Sequence, residues 1–289
     1  MKICIIFFVM MTQLLNSVEI PLESCVCGNN FKKNCTFVFC FTINRDPFNP
    51  SSVKCGDTIF VHLRNLETFF TKLHPKINNK YILVTHSGDK SAPREFAKFL
   101  NDEKLYAWFT QNMDIIHPKV YPIPIGLMGK PEARYQSIKA INQKNMGKNI
   151  LCYSNFNIDT NPTTRVIVDN TFKNAVWVLH EKRCHPVLFF TKIAQSKFVL
   201  SPHGNGLDCY RTWETLLLNS YPIVKTSTLD ALYTDLPVLI VHAWEDVTEE
   251  FLEKKYEEMR TKSYNYAKLS IDYWIDMIKK KQDECRAGS

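Results

Sequence analysis

Short apolar runs and longer stretches of helical periodicity alternate along most of this chain. The runs at 58–61, 81–85, 105–109, 150–153, 175–179, 198–200, 222–224 and 238–241 are short and rich in branched and aromatic residues. They end at polar or glycine-containing turns, as buried strands do. Between them, 66–73, 93–100, 132–145, 162–172, 185–196, 209–218 and 229–233 place apolar residues three and four apart, which predicts helices. Pro75 stops the first, and Pro93 opens the second. Two longer helices, 245–262 and 264–285, are predicted to close the chain. Strand–helix alternation of this kind gives an α/β fold with parallel sheets. Met146-Gly147-Lys148-Asn149 interrupts it, so two α/β halves are expected, 57–146 and 147–289.

Ahead of the first half the pattern changes. Residues 1–18 hold one Lys and then an apolar run from Ile3 to Met11. That is short for a membrane span, which needs ~20 residues, and it suits a secretory signal peptide. An uncleaved anchor is the other reading. Segment 19–56 is irregular apart from a strand expected at 36–41, and it crowds Cys25, Cys27, Cys35, Cys40 and Cys55 together. Disulfides in an oxidising compartment account for this crowding better than zinc does, because the spacing lacks paired C-x2-C. Asn34-Cys35-Thr36 is a glycosylation sequon. With 45% hydrophobic and 22% charged residues the composition is globular. The net charge of +7 is scattered, so it points to no nucleic-acid arm and is equally met by a small anionic ligand.

The candidate chemistry concentrates between Lys197 and Lys225. A strand (198–200) runs into Ser201-Pro202-His203-Gly204-Asn205-Gly206, then a helix over 209–218, then a second strand. Gly204 and Gly206 allow a ligand close to the backbone, beside free N–H groups at the helix start. Asp208 is placed to cap that helix. Arg211 could grip a phosphate or carboxylate, and Glu214 shares its helix face, where the two would form an i,i+3 pair. An ordinary capped βα turn would use the same residues.

Taken together, Lys197-Phe198, Ser201-Pro202, Gly204-Asn205-Gly206, Asp208, Arg211-Thr212-Trp213-Glu214, Pro222-Ile223-Val224-Lys225 and Asp235-Leu236-Pro237-Val238 resemble the donor-binding half of exostosin-like glycosyltransferases. The similarity is greatest to the group that includes ribitol xylosyltransferase. It extends over about 58–256 and includes the "PIPIG" run ending at Gly126. The resemblance implies a GT-B-like fold, two Rossmann-like halves facing a cleft. It also implies transfer of a sugar from a nucleotide-sugar donor, a UDP-sugar foremost, to a glycan or glycoconjugate hydroxyl, with inversion and without a bound metal or other cofactor. The first half would hold the acceptor. Glu214 matches the carboxylate that holds the ribose; Arg211, Lys225 and the glycine loop match groups around the pyrophosphate. His203 stands where the family more often has Arg, and a neutral His holds phosphate less firmly. Arg165, near the start of helix 162–172 and after an Asn/Asp-rich loop, is a second candidate phosphate ligand, unless it is merely solvated. The general base would be Asp89, with His86 in reserve, both in the polar turn after strand 81–85. A turn with an Asx-type bond would also account for that pair.

Other classes fit less well. No G-x-G-x-x-G follows the first strand, as a dehydrogenase would need, and neither a G-x-x-x-x-G-K-[ST] loop nor a G-x-S-x-G elbow occurs. An Asp-x-Asp metal pair is also missing. A non-catalytic nucleotide-sugar or glycan-binding protein of the same fold remains the main alternative. A secreted, disulfide-rich interaction protein would explain the cysteines but leaves 201–214 unexplained. Trp213, Trp244 and Trp274 are expected in the core.

Overall fold

The computed structural model describes residues 20–40, 48–182 and 184–288. The expected signal segment 1–18 lies outside them. Among the described residues ten strands form two five-stranded sheets, and every strand pair in them is parallel. The first sheet runs in simple chain order: β1 (Phe37–Phe39), β2 (Asp57–His62), β3 (Tyr81–His86), β4 (Leu105–Thr110) and β5 (Val120–Pro122). β1 comes from the cysteine-rich segment, where Phe37 pairs with Ile59, so that segment supplies an edge strand of the first sheet. The second sheet has the order β10-β9-β8-β6-β7. Its strands are β6 (Ile150–Ser154), β7 (Val178–His180), β8 (Ser196–Leu200), β9 (Tyr221–Lys225) and β10 (Leu239–Val241). The two halves face one another across a cleft lined from both sides.

Both sheets are buried on their faces. Ile59, Ile82, Leu83, Val84 and Leu105 in the first, and Phe198, Val199, Leu200 and Ile223 in the second, expose at most 0% of their surface. Strands covered on both faces read as continuous apolar runs, which is why the pattern located them. Trp213, Trp244 and Trp274 are all buried, as expected. The last helix, Ile271–Ala287, crosses back to pack on β3 and β4 of the first half. Ser24 Oγ donates to Asp272 there at 2.8 Å, and Cys25 bridges to Ser270. Among the described residues no helix is long and apolar enough to cross a membrane.

Two local features depart from expectation. Segment 19–56 contains a six-residue helix, Gly28–Lys33, which buries Phe31 against the His86 ring at 5.3 Å. The second concerns two thiols of that segment, Cys25 and Cys27, both of which are buried. Cys25 and Cys27 share a side-chain hydrogen bond, which pulls Cys27 down to about 7 and, with burial, pushes Cys25 far above its ordinary range.

Candidate functional site

A strand order that changes direction leaves a crevice where neighbouring strands send their connections to opposite sides. In open α/β sheets ligands bind there, outside the carboxyl ends of the strands. In the second sheet this point lies between β6 and β8, and both strands empty into loops that carry the sequence signature. Ser201–Gly206 follows β8, and the Asn/Asp-rich loop around Asn155–Asn161 follows β6. A cleft of about 990 Å3 opens at this end. Asp89, Ile125, Met128 and Arg134 form its wall from the first half, and Asn155–Thr160, Arg165, Lys182, Gly204–Gly206, Arg211 and Glu214 from the second.

Two guanidiniums dominate the second wall. Arg165, on the helix Pro162–Phe172, is 5% exposed and is not the solvated side chain that its helix position allowed. It donates to the carbonyls of His203 (2.9 Å), Asn157 (2.7 Å) and Pro202 (3.5 Å), tying the two loops together. Arg211, in the helix Tyr210–Leu217, donates to the Asn155 carbonyl at 2.7 Å and keeps its buried Nε–H without a partner. Both guanidiniums lie beside the Phe156 ring, at 5.7 and 5.9 Å from its centre. All the acceptors that hold them are neutral carbonyls, and neither makes an ion pair with a carboxylate among the described residues. Burial pulls the Arg211 pKa below its usual value, and Arg165 lowers it further, yet a guanidinium remains cationic. The two guanidiniums thus put positive charge on this wall of the cleft.

Glu214 is 2% exposed and reaches the same cleft, but it does not pair with Arg211 as the i,i+3 spacing predicts. Its carboxylate takes the Nε–H of Arg134, from the helix Pro131–Asn142, which also lies over the Phe190 ring at 5.1 Å. The carboxylate thus makes its direct contact in an interhelix pair, while its charge still acts on Arg211 and raises the guanidinium's pKa.

Asp208 is not the helix cap. The helix begins at Tyr210 with Cys209 as N-cap, and the Asp208 carboxylate is buried beneath it. It accepts from the backbone N–H of Ile125 (2.8 Å) and of Cys209 (2.9 Å), from Trp213 Nε1 (2.8 Å) and from the Tyr233 hydroxyl (3.2 Å). Burial outweighs these donors and pushes its pKa up to about 6. Ile125 belongs to the first half, so Asp208 acts as a clasp between halves. A second clasp lies beside it: Asn112 Oδ1 accepts the Asp208 N–H at 2.8 Å, and a Cβ on Gly206 would come within 2.3 Å of the Asn112 side chain. Gly126, at φ +69°, has no room for a side chain either, because a Cβ would strike the Val26 carbonyl. These glycines serve close backbone approach between elements.

Asp89 is exposed at the cleft mouth, where its carboxylate accepts from Asn205 Nδ2 at 3.3 Å. His86 is placed differently. It is 3% exposed, its Nε2–H donates to the Pro124 carbonyl (3.1 Å), and its Nδ1 accepts the Ser87 N–H (2.7 Å). Burial lowers its pKa to about 4, and the ring does not line the cleft. The reserve base is therefore a neutral structural histidine. His203 and Lys225 also stand outside the lining. Burial, with Lys225 and Arg165 nearby, holds the His203 imidazole below its usual pKa. Arg134, Phe156 and Lys182 are cleft residues that no motif singled out; only the Asn/Asp-rich loop around Phe156 signalled its position. Among the described residues no three His, Cys, Asp or Glu side chains converge as metal ligands would.

No protein-family model and no curated protein sequence matches this chain. Among solved structures, it is similar to an α,α-trehalose 6-phosphate synthase from Burkholderia multivorans. The identity is 12%, the TM-score 0.45, and the match covers 80% of this chain and 71% of that one. A UDP-forming α,α-trehalose-phosphate synthase from Burkholderia xenovorans matches at 10% identity and TM-score 0.43, over 80% and 74% of the two chains. UDP-GlcNAc 2-epimerase from Methanocaldococcus jannaschii matches at 11% and 0.38, over 78% and 77%. At such identities and scores the similarity concerns the path of the chain.

Proposed function

We propose that this protein is a glycosyltransferase of exostosin-like type, transferring a hexosyl or pentosyl group from a nucleotide sugar, a UDP-sugar foremost, to a glycan or glycoconjugate hydroxyl. One observation carries the reading. Arg165 and Arg211, side by side on Phe156 at the switch point of a parallel sheet, are held by neutral carbonyls and lack a counter-anion. A leaving nucleoside diphosphate supplies that anion. Its charge, greatest as the glycosidic bond breaks, would meet fixed guanidiniums in a partly dry site, where electrostatic stabilisation is most effective. In this reading the reaction needs no bound metal or organic cofactor. Glu214 would take the ribose hydroxyls, exchanging part of its contact with Arg134. Gly204 and Gly206 would let the diphosphate approach the loop.

Across the cleft Asp89 is the one predicted base that reaches the cavity, and it would deprotonate the acceptor hydroxyl for attack with inversion. Residues 1–18 would direct the chain into a secretory route, and segment 19–56, the first half (57–146) and the second half (147–289) would act as signal-following segment, acceptor half and donor half. Titration of the purified protein with a panel of nucleotide sugars tests the reading. One UDP-sugar should bind, and Arg211→Ala and Arg165→Ala should each weaken it by roughly a hundredfold, as expected for a charged hydrogen-bonded contact worth ~2–3 kcal/mol. Folded protein that binds none of them would overturn it. Asp89→Asn should abolish transfer while leaving binding intact, which separates a transferase from a nucleotide-sugar-binding protein of the same fold; equal transfer by the variant would overturn the base assignment and leave the transferase reading standing.

A further inference from the structure

The two halves are joined at the cleft by hydrogen bonds, but at the far side of the first sheet two cysteines meet. Cys55 lies in the turn that leads into β2, and Cys285 lies near the end of the helix Ile271–Ala287, 230 residues later. Their sulfurs are 3.5 Å apart, and the Cys55 thiol also donates to the Cys285 carbonyl at 3.6 Å. Independent contacts fix both partners. Gly56 N–H donates to the Lys80 carbonyl at 3.0 Å, and Gln282 Nε2 donates to the Gly56 carbonyl at 2.9 Å. Gly56, at φ +79°, has the Arg286 side chain so close that a Cβ would sit 2.8 Å from it. Cys285 itself is 0% exposed.

We propose that Cys55 and Cys285 form a disulfide that fastens the returning helix to the first half. A disulfide needs sulfurs about 2.05 Å apart. From 3.5 Å, van der Waals contact, the two sulfurs have to approach by roughly 1.5 Å to bond. The oxidant is a protein dithiol–disulfide oxidoreductase of an oxidising compartment. The Cys55 thiolate, the more exposed of the pair, attacks the oxidoreductase disulfide, giving a mixed disulfide and releasing one of its thiols. The Cys285 thiolate then attacks the Cys55 sulfur and expels the second thiol. The two electrons and both thiol protons end on the oxidoreductase, now a dithiol. The closed loop is very long, which is the case where a cross-link removes most entropy from the unfolded chain.

This inference is independent of the proposed transfer reaction. The full chain, produced through an oxidising secretory route, is alkylated without reduction and cleaved with trypsin. Cleavage after Lys54, Arg64, Lys281 and Arg286 should yield peptides 55–64 and 282–286 joined as one species, which dithiothreitol separates. Recovery of both peptides alkylated and unlinked, or of either joined to another cysteine, would overturn the proposal. Thermal unfolding gives a second reading. Cys55→Ala, at the less buried position, should melt roughly 5–10 °C lower than the oxidised parent. Dithiothreitol should lower the parent to the variant's midpoint and leave the variant unchanged. A reductant-insensitive parent would likewise sink it.

Discussion

The guanidinium of Arg134 holds the carboxylate of Glu214 across two helices, where chain neighbours would pair Glu214 with Arg211. The pair is partly buried, and removing one member leaves the other charge without compensation. Arg134→Ala should therefore lower unfolding stability by about 3 kcal/mol in urea titrations. The double variant Arg134→Met/Glu214→Leu should recover most of that loss, since replacing both partners by apolar groups is often neutral.

Asp208 should give the native state a measurable proton uptake. Its carboxyl titrates near 6 when folded and near 3.9 when unfolded, so the native state binds more protons between these values. Its contribution to stability is complete below about pH 4 and is lost as pH rises through about 6. Asp208→Asn should remove about 2–3 kcal/mol of this slope. The check is unfolding free energy at several pH values, comparing slopes, because Asn also costs an acceptor at every pH.

His86 should act in the opposite direction. Its folded pKa of about 4 lies below the unfolded value near 6.5. Stability from this ring is complete above about pH 6.5 and is lost as pH falls towards 4. In NMR titration its imidazole shifts should stay constant from pH 8 to 5. Movement centred near 6.5 would return His86 to the list of candidate bases.

Gly206→Ala should damage the clasp between halves more than the loop itself. The added Cβ would displace Asn112, which accepts the Asp208 N–H. Overpacking of this kind costs about 1–3 kcal/mol. Nucleotide-sugar affinity should fall with stability, whereas Gly147→Ala, which meets open space, should change neither.

Most of the fold was legible because buried parallel strands are continuous apolar runs and because glycine, proline and asparagine punctuate them. The helix Gly28–Lys33 was not legible. Gly-Asn-Asn is a poor helix former, and the turn exists because Phe31 is buried against His86. The cleft was legible where a strand end carries its own signal: Gly204–Gly206, Arg165, Arg211, Glu214 and Asp89, all in or just after the loops that follow β8, β6 and β3, line it. It was illegible where a partner lies far along the chain. Asp208 looked like a cap because Ile125, 83 residues earlier, cannot be seen from its own neighbourhood. Glu214 looked like a partner of Arg211 because the distant Arg134 leaves no mark on the motif.

The returning helix Ile271–Ala287 also sets the order of assembly. It covers β3 and β4, so the first sheet, although made first on the ribosome, lacks one of its covering layers until residues beyond 270 have emerged. The second half, whose strands are closed by segments nearer in sequence, can mature earlier. The nascent chain should therefore spend most of its synthesis with an open apolar sheet face, the state in which it most needs a chaperone.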